Sequence, residues 1–486
     1  MENLDLAKMK LTVLDEKQIA KIHNASLEIL SSKGVHIPHK EALDLFSEAG
    51  AIVDYKTEVV KIPEKVVMNC LAIAGKKFTT YGRDCSKTAM FGMGKRNYNT
   101  IAGEALWIND DCTERRYTTI EDVRTAAQFA QELEFINVVG SMADPQEIPI
   151  EYRCVLVTAE LLKKTNKPIT FWFYDRGTAK FILELFTAIR GSKEDAIKFP
   201  CTYAFLEPIS PLRFPKHGID LLFETSVFSM PVSIGPMAQV GLSAPGTLAG
   251  TLAQENAEIL AGVCVTQLIK PGIPVCYGGI PHAFDMRTTQ MIFAGPEQAL
   301  MAVAMTQMGK HYGLPVYINV GLTDSKVVDA QAGIEAGITL TCGAMAGADI
   351  FGHLGICGVD QGTSLMILTM QHEIIGYVER MMRGIEVSDE AIGIDTIKSV
   401  GYGGTYIAEE HTVSHFRKEL WFPKMLDRDF WNVWVEKGKK QLDERCKEMK
   451  TQLLEKSVTP PMDDKMTKEL DRIVESAKKH LLTERK

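Results

Sequence analysis

The chain lacks any run of eighteen apolar residues, and its first ten residues, MENLDLAKMK, are charged and carry no hydrophobic segment. Neither a spanning helix nor a cleaved leader is therefore expected. A basic excess is also missing. Lys and Arg number 54 against 62 Asp and Glu, for a formal net charge of −8, whereas a nucleic-acid carrier would show a basic stripe. The ten cysteines never fall as CxxC or CxC pairs. In a chain of 486 residues that scatter reads as reduced, mostly buried thiols, with neither a disulfide framework nor the ligand spacing of a zinc site. No GxGxxG follows a strand-like run, so the dinucleotide-binding signature of a doubly wound sheet is absent. The expectation is a cytoplasmic, enzyme-sized chain that meets neither nucleic acid nor membrane and holds no tightly bound metal.

What is present is a loose repeat. A proline followed by a short β-branched or aromatic run occurs at Pro168 (PITFWFY), Pro200 (PCTYAFL), Pro231 (PVSIGPM), Pro274 (PVCYGGI) and Pro315 (PVYINVG). ADIFGHLG around Asp349 continues the series, and INVVGSM from Ile136 precedes it. Segments with helical periodicity lie between these runs, such as Thr178 to Ile189 and Gln254 to Ile269. Short apolar strands alternating with helices imply βαβ units and a parallel sheet. Proline at the first strand residue sits where a missing donor is tolerated. The reading is an α/β (β/α)8 TIM barrel over residues 131–422, with an eighth strand expected beyond Glu386. Residues 1–130 are read as amino-terminal helices and short strands packed on the barrel. Residues 423–486 are read as a charged helical extension, suited to packing or to self-association.

Barrels carry their chemistry at the carboxyl ends of the strands. Aromatic residues crowd those ends here, and full charges are few. Such a cavity suits a quaternary ammonium, whose charge is met by π faces because no hydrogen bond can grip it. Strand alternation groups Trp172 with Tyr174, Tyr203 with Phe205 and Glu207, and Tyr317 with Asn319. The cage candidates are Tyr98, Trp172, Tyr174, Tyr203, Tyr277 and Tyr317, although bulky residues at such positions also fill barrel cores. Glu207 suits a cationic substrate, or equally an ion pair with Arg213. His353 and Asn319 are placed to donate to a substrate oxygen. The glycine-rich GYGGTY (Gly401 to Tyr406) offers a backbone nest.

Three segments then resemble the trimethylamine methyltransferase family: SPL (Ser210 to Leu212), DSKVVDAQAG (Asp324 to Gly333) and VGYGGTYIAEEHTVSHFRKELWFPKMLDR (Val400 to Arg428). Within the last, the pattern rests on Gly403, Gly404, His411, Thr412, His415, Phe416, Arg417, Trp421, Pro423, Asp427 and Arg428. The resemblance runs through nearly the whole chain, including LEILSSKGV and LFSEAGA. It implies a barrel that hands a methyl group from an amine to the Co(I) form of a corrinoid (cobalamin) borne on a separate small protein. Founding members carry pyrrolysine at the barrel centre. This chain has only the twenty standard residues, and so resembles the branch that demethylates quaternary amines such as glycine betaine, proline betaine, carnitine or γ-butyrobetaine. A quaternary nitrogen needs no further activation, so the protein's task is to position it and no acid–base residue is required. Gly403, Gly404 and His411 are candidates to face the corrinoid or its carrier, or simply to tie the last helices to the barrel. Two other readings remain at this point: a betaine-binding protein without transfer chemistry, and a zinc-dependent corrinoid methyltransferase.

Overall fold

The computed structural model describes residues 6–484. Each proline of the repeat behaves as its chemistry dictates. The residue has no N–H to give, but its carbonyl accepts from the neighbouring strand: Val139 N–H to Pro168, Ala204 to Pro231, Val232 to Pro274 and Tyr277 to Pro315, all at 2.8–2.9 Å. The barrel strands are β1 (Asn97–Thr100), β2 (Ile136–Gly140), β3 (Ile169–Thr170), β4 (Ala204–Leu206), β5 (Val232–Ile234), β6 (Val275–Gly278), β7 (Val316–Asn319) and β8 (Ile350–Leu354). They form one parallel sheet in the order β3-β2-β1-β8-β7-β6-β5-β4. Ile169 N–H on β3 donates to the Cys201 carbonyl ahead of β4 at 3.1 Å, which closes the ring.

A helix follows every strand: α1 (Ile120–Glu132), α2 (Ile150–Lys164), α3 (Arg176–Arg190), α4 (Lys216–Ser226), α5 (Leu248–Ile269), α6 (Pro296–His311), α7 (Ala330–Ala346) and α8 (Leu365–Arg383). The architecture is a (β/α)8 barrel. α5 is buried around its whole circumference, its polar Gln254, Glu255, Asn256 and Glu258 included, because the amino-terminal helices Glu16–Glu28, Lys40–Glu48 and Glu64–Ile73 cover its outer side. The last helix, Asp464–Glu484, packs along α2 and α3 and buries Leu470, Ile473, Val474 and Ala477. No helix among the described residues is long and apolar enough to cross a membrane.

The eighth strand does not lie beyond Glu386. Ile385–Glu386 forms only a small ladder with Leu6–Ala7, and the barrel is completed by β1, well ahead of residue 131. The physical reason is that β1 reads Asn-Tyr-Asn-Thr and is buried at every position. Hydropathy gives no signal there, because hydrogen bonds satisfy much of what is buried. Asn97 Nδ2 donates to the carbonyls of Met90 (2.7 Å) and Asp349 (2.8 Å), and Asn137 donates to Asn97 Oδ1 at 2.9 Å. Below β1 a hairpin, Phe78–Tyr81 with Thr88–Phe91, stops the amino-terminal end of the lumen. Its Phe78 and Phe91 rings stack at 4.2 Å and meet Tyr203 from inside the barrel.

One polar fastening holds β1 to the helix layer. Arg96 donates through Nε and Nη2 to the two oxygens of Glu379 on α8 (2.6 and 2.7 Å), and the Tyr98 hydroxyl donates to the same carboxylate at 2.5 Å. Charge-assisted bonds of this kind are the stronger ones. Glu379→Ala is expected to lower unfolding free energy by about 2 kcal/mol in urea titration. A change within error would show that β1 is held by its ladder alone.

Candidate active site

Inward positions of the strands set the lumen. Along β4 these are Tyr203, Phe205 and, past the strand end, Glu207; along β7 they are Tyr317 and Asn319. The Phe205 ring reaches across the barrel and meets Tyr317 edge-on, with centroids 5.5 Å apart and planes at 65°. Trp172 meets Phe205 from the β3 side at 6.3 Å, and His353 meets Tyr317 from the β8 side at 6.0 Å. A bar of four rings therefore crosses the mouth. Two glycines make it fit. A Cβ on Gly235 would lie 2.5 Å from the tip of Phe205, and one on Gly352 would lie 1.9 Å from the Tyr317 hydroxyl oxygen.

On the β3–β5 side of the bar lies a cavity of about 560 Å³, walled by Trp172, Phe173, Tyr174, Phe205, Met237 and Glu207 among others, with no Lys or Arg in its lining. Trp172 Nε1–H is aimed at the Gly103 carbonyl (3.4 Å), and the Tyr174 hydroxyl donates to Asp144 (2.5 Å), which Arg153 also binds (2.9 Å). Both rings are thus fixed in place. Water in the cavity reaches Glu207, but protein surrounds its carboxyl, and burial with no compensating bond raises its pKa. Burial, then Glu104 and Glu207, push Asp360 up to about 7. Burial likewise raises Glu104. Asp360 ends a run of three left-handed residues, Gly358, Val359 and Asp360 (φ 65°, 60° and 60°). A β-branched residue in that region is strained, and such strain collects at functional sites.

The β6–β8 side has a different chemistry. Asn319 is buried with neither amide atom partnered, His353 Nδ1 is unpartnered, and the buried His282 ring lies against the backbone of Ile292 and Phe293. His353 Nε2 lies 3.4 Å from the Tyr317 hydroxyl, and its backbone is left-handed at φ 68°. Burial brings the His353 pKa down to about 4, and burial with His353 nearby brings His282 down to about 3. Both imidazoles are neutral at neutral pH. Buried polar groups normally have partners, so this cluster is the most conspicuous polar feature of the lumen.

Several expected site residues fall elsewhere. Tyr98 and Tyr277 leave the cage, because alternation turns them outward: Asn97 and Asn99 flank the first, Cys276 and Gly278 the second. Tyr98 stacks on Phe351 and bonds Glu379. Tyr277 donates to Asn256 of α5 at 2.7 Å. Tyr203 does point inward, but one layer lower, where the hairpin seals it into core. Trp172, Tyr174, Tyr317, Asn319, His353 and Glu207 do gather at the mouth. Gly403 and Gly404 lie in an exposed turn; His411 bonds the Glu390 carbonyl at 2.9 Å and stacks on His415. The sequence reading picked out Phe173 and Met237 only as strand-end positions and missed Glu104, Asp360 and His282. β3 is only two residues long, so alternation does not carry to Phe173; Met237, Glu104 and Asp360 sit in loops without periodicity, and His282 opens a short strand, His282–Asp285, outside the barrel sheet. Among the described residues no group of three or more His, Cys, Asp or Glu side chains is arranged to hold a metal ion.

A pH test follows from the buried imidazoles. Because His282 and His353 titrate lower when folded than the usual 6.5, their contribution is complete above that value and is lost as pH falls below it. Each should cost about 2 kcal/mol of stability by about pH 5. His282→Gln is expected to flatten that fall in urea titrations at the two pH values; an unchanged fall would mean the imidazole is not buried neutral.

The description "Trimethylamine methyltransferase (MTTB)" belongs to the family profile that matches residues 2–481. A trimethylamine methyltransferase of Desulfitobacterium hafniense (strain DSM 10664 / DCB-2) is 30% identical over 461 residues, 95% of this chain and 92% of its own length. A glycine betaine methyltransferase of D. hafniense (strain Y51) is 28% identical over 96% of this chain and 97% of its own. A second trimethylamine methyltransferase, from Methanosarcina mazei, is 28% identical over 96% of each chain. With a (β/α)8 barrel, a ring-walled mouth and a match along nearly its whole length, the chain belongs to the trimethylamine methyltransferase family and is a corrinoid-dependent methyltransferase.

Proposed function

We propose that the methyl donor is a quaternary amine and that the acceptor is the Co(I) corrinoid of a separate small carrier protein. The observation that carries this reading is the cavity itself: π faces from Trp172, Tyr174 and Phe205, one carboxylate at Glu207, and no Lys or Arg, with His217 the one imidazole in the lining. The likeness to a glycine betaine methyltransferase supports the same substrate class, in which the betaines fall.

The chemistry asks little of the protein beyond placement. The carrier's reduced corrinoid would supply the electron pair for the new bond to carbon, and the C–N bonding pair would stay on nitrogen. The departing amine is therefore neutral and needs no proton. Trp172 and Phe205 hold the cation against their faces, a contact worth about 1–2 kcal/mol per ring when desolvated. The anchored Tyr174 narrows the cavity wall, and Glu207 adds charge of the opposite sign. Tyr317 backs Phe205 so that one methyl can be directed outward, which is a matter of orientation. Asn319 and His353 face the substrate's other end. Gly403, Gly404 and His411, in an exposed segment beside exposed Tyr402, Tyr406 and Ile407, receive the carrier.

Incubation with purified carrier, reductant and quaternary amines should produce the visible spectrum of a methylated corrinoid. Its absence with every quaternary amine, alongside turnover of trimethylamine, would overturn the reading. Trp172→Ala should raise KM about tenfold or more with the fold retained by circular dichroism; unchanged kinetics would remove Trp172 from the site.

A further inference from the structure

Helix α5 carries two carboxyl groups where packing alone calls for none. Glu255 and Glu258 are both 0% exposed, and no Lys, Arg or His is among the groups that act on either. Burial first, then the neighbouring Glu258, raises the Glu255 pKa, and burial raises that of Glu258. Taking a carboxyl out of water without a cationic partner is costly, and an apolar residue of similar volume often serves a protein interior as well or better. The reason for the pair therefore lies in what it holds.

What it holds is the loop wall of the mouth. Glu255 accepts the Ala238 N–H through Oε2 (3.1 Å) and the Ile280 N–H through Oε1 (2.7 Å). Glu258 accepts the Ser210 hydroxyl through Oε2 (2.6 Å) and the Leu212 N–H through Oε1 (2.8 Å). Gln254, one turn earlier, donates to Glu258 Oε1 (3.1 Å) and to the Ser243 carbonyl (2.8 Å). Ser243 Oγ in turn accepts the Gln239 N–H at 2.9 Å. One turn of α5 thus fastens the loops after β4, β5 and β6. Ser210, Met237, Gln239 and Ser243 all line the cavity, and Ala238 lies between two of them. The ring wall has its own anchors, Gly103 for Trp172 and Asp144 for Tyr174; the loop wall is anchored on α5. The Ser210–Leu212 segment, one of the three that carry the family resemblance, finds its place here, with both its ends held by Glu258.

Resting on the quaternary-amine reading above, we propose that Glu255 is a positioning residue for methyl transfer. Supported by Glu258 and Gln254, it fixes the loops after β5 and β6, and with them the Met237–Gln239 stretch of wall that encloses the cation together with the rings. The two carboxyl groups are not equivalent. Both partners of Glu255 are backbone N–H groups, which only donate, so an amide in its place sets its own NH2 against an N–H. Ser210 can give or take a bond, so Glu258→Gln is accommodated by turning that hydroxyl.

The test is amide hydrogen exchange of the full-length chain together with calorimetric titration, tetramethylammonium being the probe. In the wild type the Ala238 and Ile280 amides should exchange as slowly as those of the barrel strands, although both lie in loops. Glu255→Gln should speed each by about tenfold or more through loss of a buried hydrogen bond, and weaken tetramethylammonium binding by about tenfold. Glu258→Gln should leave both readings near wild type. Glu160→Gln is the control. It breaks ion pairs with Arg124 (2.7 Å) and Lys163 (2.9 Å) on the outer layer, and should lower the urea midpoint without moving the binding constant. Fast exchange at Ala238 and Ile280 in the wild type would overturn the proposal with no variant needed. So would Glu255→Gln binding the probe as the wild type does, or Glu160→Gln weakening it as much as Glu255→Gln. If the exchange results hold and no form binds tetramethylammonium, the quaternary-amine reading fails while the anchoring stands.

Discussion

The edge-on contact between Phe205 and Tyr317 is the interaction on which the mouth depends. These rings come from strands nearly opposite each other in the barrel, and their meeting turns an open lumen into a floor with two sides. Gly235 and Gly352 exist in this geometry as room for the ring tips. The lower lumen is filled by Tyr203, Cys276 and the Phe78–Phe91 hairpin, so nothing enters from the amino-terminal end. Everything that can reach a substrate is gathered above one aromatic bar.

That floor also sorts charge. Glu207 lies on the side walled by Trp172 and Phe205, and neutral imidazoles and an amide lie on the β6–β8 side. Burial drives both arrangements in the same direction, toward uncharged forms: it raises Glu207 and Asp360 and lowers His282 and His353. A permanent cation entering such a site is the charge that favours ionised carboxylates, and it needs no proton transfer to be bound. The strained turn at Gly358–Asp360 places one of those carboxyl groups above the mouth.

Much of this was legible in the sequence, for identifiable reasons. Five proline-led runs marked strands because proline can open a parallel strand with its carbonyl while lacking a donor, and the apolar runs at Ile136 and Asp349 marked two more. Alternation along β4 and β7 correctly brought Phe205 with Glu207 and Tyr317 with Asn319. It failed where the pattern was thin. β1 is polar, so no apolar run announced it, and Tyr98 was placed in the cage although its neighbours Asn97 and Asn99 take the inward positions. Tyr277 was misplaced for the same reason, between Cys276 and Gly278. Asp360 could not be found by periodicity because it sits in a turn, and His282 because it opens a short strand outside the barrel's parallel sheet.

The account stands most directly on a crystal structure of the chain with a quaternary amine bound. It predicts the ammonium nitrogen within about 6 Å of the Trp172 and Phe205 ring centroids, on the same side as Glu207. A nitrogen seated among His282, Asn319 and His353, or bound outside the barrel mouth altogether, would contradict it.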